Sequence, residues 1–200
     1  MAGGFAHLHV ASGYSLRYGA STPADLVRRA AELGQTTLAL TDRDGLYGAV
    51  RFALACRAEG VGAVLGVDLA VRPIVPEGPT GTTGTAQTSS RRSPARGGVV
   101  RRSDHLPRVV LLARGRRGWA SLCRLVSAAH LGGERGAPVT DLDQVAAHHD
   151  GLVVLLGPES ECGRALAARR PDVARQVLRR WQEVLGGDVR IEVVCQWAAP

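Results

Sequence analysis

The chain contains no lysine: all 25 of its basic side chains are arginine. That uniformity reads as a compositional bias of the source genome, so a net charge of +7 is not by itself a nucleic-acid footprint. Aromatic residues make up only 4%, and Trp119, Trp181 and Trp197 are too scattered for a base-stacking platform, which interleaves aromatic and basic residues on one surface. Cys56, Cys123, Cys162 and Cys195 form no C-x-x-C pair, so neither a zinc knuckle nor a disulfide framework is indicated, and buried apolar positions suit them. No apolar run approaches the roughly 20 residues of a membrane helix, and the N-terminus lacks the basic-then-apolar pattern of a signal peptide. The expected compartment is therefore the cytoplasm, with no membrane partner. Gly-rich phosphate loops of either common spacing are also missing.

What is present is a globular composition: 45% hydrophobic and 22% charged residues over a length of 200, enough for one domain with a substantial core. The positive charge is unevenly spread. Between residues 73 and 103 stand Arg91, Arg92, Arg96, Arg101 and Arg102 against Glu77 alone, which accounts for +4 of the +7. The same stretch holds Pro73, Pro76, Pro79, Pro94 and a run of Thr and Gly, too little apolar surface to offset the entropy of ordering it. It reads as a disordered insertion within one domain covering residues 1–200. Its arginines could bind phosphate backbones weakly through counterion release, and a solvated tether is the plainer role.

Elsewhere strand and helix signals alternate, which predicts an α/β fold. Strands are expected at residues 5–10, 36–40, 63–71, 108–113, 152–156 and 189–195. Helices are expected at 23–33, 46–59, 118–131, a short one capped by Thr140 or Asp141, one near 162–169, and one opened by Pro171 and closed at Gly186. The first three strands with their two helices imply parallel βαβ units. An all-parallel edge left uncovered near Pro200 implies that the chain is incomplete at its C-terminus.

Candidate chemistry centres on residues 41–45, Thr-Asp-Arg-Asp-Gly, where an apolar strand ends in a polar turn, the usual place for ligand groups in an α/β protein. His7 and His9 share one strand face, and Asp42 and Asp68 follow at the ends of later strands, a donor mix suited to a divalent cation. His105, His130, His148 and His149 carry less weight.

Phe5-Ala6-His7-Leu8-His9-Val10, Ala30-Ala31-Glu32-Leu33-Gly34, Leu38-Ala39-Leu40-Thr41-Asp42, Gly45-Leu46-Tyr47-Gly48, Val110-Leu111-Leu112-Ala113-Arg114 and Leu122-Cys123-Arg124-Leu125-Val126-Ser127 carry a resemblance. The chain resembles the N-terminal PHP domain of bacterial DNA polymerase III alpha subunits, and Asp44-Gly45-Leu46-Tyr47-Gly48 makes it most similar to the error-prone branch. The resemblance implies a distorted β/α barrel with metal ligands at the carboxyl ends of its strands. It also implies a place in replication or damage-tolerant synthesis, with the rest of a polymerase or its subunits as partners.

In the family register His9 is matched, but its companion falls on Ala11. Tyr18 replaces an Asp, Arg43 a His beside the retained Asp42, and Asp68 a Glu, while the family's final D-x-H pair would lie beyond Pro200. His9, Asp42 and Asp68 are then residual metal ligands, too few to close a coordination shell around zinc or manganese. The expectation is a structural, non-catalytic module without a cofactor, in which the Arg43 guanidinium takes the metal's place and pairs with Asp42 and Asp68. The polymerase's nucleotidyl-transfer carboxylates lie outside this stretch of the family. The competing expectations are a metal-dependent phosphoesterase or proofreading exonuclease, and a remnant of a disrupted polymerase gene.

Overall fold

The protein is described by a computed structural model covering residues 5–75, 105–133 and 136–194. Helix α1, Pro23–Glu32, starts where Thr22 accepts a hydrogen bond from the Asp25 amide, and the chain turns away at Gly34 with φ 69°. Its Val27 and Ala30 are buried against α2, Ala49–Glu59, which presents Phe52 and Cys56 in return. α2 begins three residues later than periodicity predicts, because residues 46–48 form a turn instead. Gly48 leaves α2 without a side-chain cap and packs so closely that an added Cβ would lie 2.9 Å from the Asp42 carboxylate. α3 is Gly115–Gly132, and Asp141 rather than Thr140 caps α4, Leu142–Ala147, by accepting from the Gln144 amide. α5, Glu161–Ala167, is capped by Ser160, and α6, Pro171–Leu185, buries Ala174, Val177, Trp181 and Leu185 at helical spacing.

The sheet has six strands: β1 Thr37–Leu40, β2 Gly62–Val71, β3 Arg108–Ala113, β4 Val139–Thr140, β5 Leu152–Leu156 and β6 Val189–Ile191. Their order is β1-β2-β3-β5-β6, with β4 pairing β2 beside this path. β1 runs parallel to β2, as the βαβ reading requires, but β3 runs antiparallel to both β2 and β5. The expected all-parallel sheet is thus corrected to a mixed one. A helical crossover is what enforces parallel pairing, and no helix is described between β2 and β3. The short strand β4 was not expected. β6 is shorter than the expected 189–195, whose last residue lies outside the described residues. The segment at residues 5–10 makes a single parallel bridge, His7 to Leu38, rather than a full strand.

Alternation along β2 separates two environments. Val67, Leu69 and Val71 join the main core with Leu111, Leu122, Leu125, Val154 and Trp181 beneath the helices. Asp68 points to the opposite face, where Val110, Leu112 and Leu155 form a small apolar floor. The sheet does not close: among the described residues no backbone ladder joins β6 to β1, and a His9 to Glu192 side-chain bond ties the two ends together. The distorted barrel implied by the resemblance, expected to be incomplete at its C-terminus, is accordingly an open sheet among the described residues, since closure needs a continuous ring of strand pairs. No described helix is long and apolar enough to cross a membrane. The 73–103 insertion lies largely outside the described residues, as do Cys195 and Trp197.

Candidate functional site

The polar turn after β1 is held in place by backbone before any side chain contributes. Thr41 donates its amide to Val10 O at 2.8 Å, Asp68 donates to Asp42 O at 3.1 Å, and Asp44 donates to Asp68 O at 2.9 Å. The turn thus prolongs the β1–β2 ladder, with Arg43 opposite Asp68. Asp44 bends the chain away with φ 60°, a left-handed conformation that Asp tolerates better than most side chains. His130, from the last turn of α3, donates through Nε2 to Asp44 O at 2.6 Å.

Asp42 is almost fully buried. Its Oδ1 accepts from the Ser12 amide at 2.7 Å and from the Ser15 hydroxyl at 2.7 Å, and the Ser12 hydroxyl lies 2.9 Å from both oxygens. Ser15 Oγ also accepts from the Arg43 amide at 2.9 Å, so one hydroxyl links the Asp42 carboxylate to the turn's own backbone. Asp42 therefore anchors the 12–15 loop beneath the turn.

Asp68 meets different partners. Arg108, the first residue of β3, lies opposite Ala70 and so projects from the same sheet face as Asp68, two residues away. Its Nε donates to Asp68 Oδ1 at 2.9 Å, and one terminal nitrogen donates to Asp68 O and to Asp44 Oδ1, both at 2.7 Å. The Arg108 side chain is only 3% exposed, so these bonds must compensate its desolvation. Burial works to lower its pKa, but the Asp68 and Asp44 carboxylates outweigh that and hold it above the usual arginine value. Burial pushes the Asp68 carboxyl up from its ordinary value, while Arg108, Arg43 and His9 pull against the rise. Arg43 approaches Asp68 Oδ2 with Nε at 3.9 Å, and its guanidinium stacks 3.7 Å from the Tyr18 ring centroid. The expected Arg43–Asp42 pair is not what forms: Asp42 is met by serines, and the Arg43 ion pair is with Asp68.

These groups open onto a cleft of about 460 Å³, where His9, Tyr18, Asp68 and Arg108 face Glu159 and Glu192 above Val110 and Leu155. His9 Nδ1 lies 3.0 Å from Glu192 Oε1 and 3.2 Å from Oε2. The Glu192 carboxylate holds the His9 pKa above its ordinary value against the opposing effect of burial.

Of the three expected metal-site residues, the fold brings His9 and Asp68 to one cleft and leaves Asp42 beneath it. Among the described residues no three His, Cys, Asp or Glu side chains group as a metal holder. The donor chemistry agrees. Asp68 faces a guanidinium at each carboxylate oxygen, and Asp42 is engaged by hydroxyls and an amide. Cationic, non-deprotonatable neighbours at the Asp68 oxygens do not fit a divalent ion. Sequence reasoning missed Arg108 and Glu192. The available signal was a charged residue opening the otherwise apolar strand Arg-Val-Val-Leu-Leu-Ala, but its partner depends on the antiparallel register with β2.

The PHP domain family's profile matches residues 7–195. An error-prone DNA polymerase from Mycolicibacterium paratuberculosis is 38% identical over 177 residues, covering 87% of this chain and 14% of its own length. One from Mycobacterium tuberculosis (strain ATCC 25618 / H37Rv) is 43% identical over 140 residues, 70% of this chain and 11% of its own. The DNA polymerase III subunit alpha of Treponema pallidum is 36% identical over 179 residues, 90% of this chain and 13% of its own. The chain thus spans only 11% to 14% of the length of these relatives.

Proposed function

Because the chain belongs to the PHP domain family, we propose that it is the PHP module of an error-prone DNA polymerase of the polymerase III alpha type, acting in replication or damage-tolerant synthesis. The observation that carries this reading is the 38% identity over 87% of the chain to an error-prone DNA polymerase. The module's work is structural: it supports the polymerase body or contacts the polymerase's other subunits, in the cytoplasm. It hydrolyses nothing itself. Guanidinia at both oxygens of Asp68 and hydroxyls on Asp42 support that part of the reading, because a hydrolytic metal centre needs those oxygens free. At the edge of the turn, Arg43 supplies positive charge beside Asp68 where the family places a further ligand, with Tyr18 stacked on its guanidinium. The Arg-rich stretch at 73–103 adds at most weak, salt-sensitive contact with DNA.

Two experiments test the reading. Phosphatase and 3′-exonuclease assays on the purified chain with MnCl2 should give no turnover above buffer. Robust manganese-dependent turnover would establish instead a phosphoesterase or proofreading exonuclease. Co-expression with the remaining polypeptide of a polymerase from the same genome, made without its own first 200 or so residues, should yield a co-purifying complex. Failure of the two pieces to associate would remove the support role.

A further inference from the structure

We propose that Arg108 is the resident cation of this cleft, holding Asp68 and Asp44 together as a divalent metal would, so that the cleft admits a metal ion only when the guanidinium is removed. The inference concerns the chain's own residues and stands whatever the module is attached to. It starts from position. Arg108 opens β3 opposite Ala70, and its side chain is buried on the sheet face that carries Asp68. From there a single guanidinium spans two elements. It reaches Asp68 Oδ1 at 2.9 Å on β2, and Asp44 Oδ1 at 2.7 Å in the turn after β1. A metal ion in such a place would do the same: gather carboxylates from neighbouring strand ends and neutralise them.

Charge completes the comparison. Asp68 and Asp44 contribute two negative charges, and Arg108 with Arg43 contributes two positive ones, which is what one divalent ion supplies. A metal added to the intact cleft would raise the local charge and meet a guanidinium at each Asp68 oxygen, hydrogen-bonded at Oδ1 and 3.9 Å away at Oδ2. An arginine also stays protonated at any working pH, so it cannot yield its place. Arg108 is therefore a positioning residue: it acts through the carboxylates it holds. Removing its side chain frees Asp68 Oδ1 and Asp44 Oδ1, with His9 and Glu192 lining the cleft beside Asp68. These donors do not group around one point in the intact protein, and a manganese ion, which favours such oxygen and nitrogen ligands, would draw them together once the guanidinium no longer holds them apart.

The test is thermal unfolding of the 200-residue chain in EDTA and across a MnCl2 titration, for wild type, Arg108→Gln and Arg108→Lys. Manganese is the probe because it favours oxygen and nitrogen donors over the chain's free thiols. Wild type should melt within about 1 °C of the same temperature in both conditions. Arg108→Gln should melt lower in EDTA and recover about 3–5 °C at a manganese concentration ten times the dissociation constant. Arg108→Lys should be less destabilised and insensitive to manganese, because the charge remains. A purely structural arginine would give an Arg108→Gln protein equally destabilised in EDTA and manganese, and that result overturns the proposal. So does manganese stabilisation of wild type. If Arg108→Gln is unfolded in EDTA, folding on addition of MnCl2 supports the proposal, and failure to fold in either condition refutes it.

Discussion

Replacing Asp42 with alanine should destabilise the fold by about 3–5 kcal/mol without any metal being involved. The figure follows from what the carboxylate holds. It accepts hydrogen bonds from the Ser12 amide, the Ser12 hydroxyl and the Ser15 hydroxyl in a nearly solvent-free position. Bonds to a charged acceptor contribute about 1.5–3 kcal/mol each, and a buried donor left without a partner costs about 1–3 kcal/mol. The two hydroxyls can rotate toward other acceptors and recover part of their loss, but the Ser12 amide cannot, so the sum stays below three full bonds. In a chain of this size the loss corresponds to a melting point lower by roughly 8–15 °C. The assay is urea and thermal unfolding in EDTA, with Asp42→Asn beside Asp42→Ala. Asparagine keeps one acceptor oxygen for the Ser12 amide and should lose less, about 1–2 kcal/mol. A metal-ligand role predicts the reverse pattern, with little loss in EDTA and a deficit that appears only when metal is supplied. An Asp42→Ala protein within about 1 kcal/mol of wild type in EDTA would refute the anchoring role.

Two further outcomes follow from the same geometry. The His9 imidazole, titrated by NMR, should show a midpoint above its ordinary value near 6.5, and Glu192→Gln should bring it back down. Because the folded pKa is the higher one, the pairing stabilises fully below about pH 6.5 and is lost as pH rises through the folded value. At this half-exposed site it is worth at most about 1 kcal/mol, and a wild-type advantage over Glu192→Gln that grew toward high pH would contradict it. At Asp44, glycine relieves a left-handed backbone at φ 60° but loses the bond to Arg108, so Asp44→Gly should cost about 1–2 kcal/mol net by urea midpoint. Asp44→Asn, which suits that conformation and keeps an acceptor, should cost less. A glycine variant more stable than wild type would mean that backbone strain outweighs the ion pair.

Much of the fold was legible because local rules act on few residues at a time. Thr22-Pro23 and Pro171 mark helix starts through capping and fixed φ, and the apolar stretches at 108–113 and 152–156 mark strands buried on both faces. The turn at 41–45 was legible as the organising polar feature, and Asp42, Arg43 and Asp68 all take part in it.

Tertiary structure alone decided strand direction, and with it the chemistry of the cleft. An alternating pattern reads the same in either direction, so nothing local announced that β3 runs antiparallel to β2. Only that register places Arg108 across from Ala70 and against Asp68, and only the tertiary fold brings Glu192, the residue after the last strand, to His9 of the first segment, 183 positions away. The sequence by itself determined most of the helices and strands, the polar turn and the family. The three-dimensional fold decided which charge each carboxylate meets, because ion pairs between strands depend on register and on which edges approach, and neither is encoded in the period of a single strand.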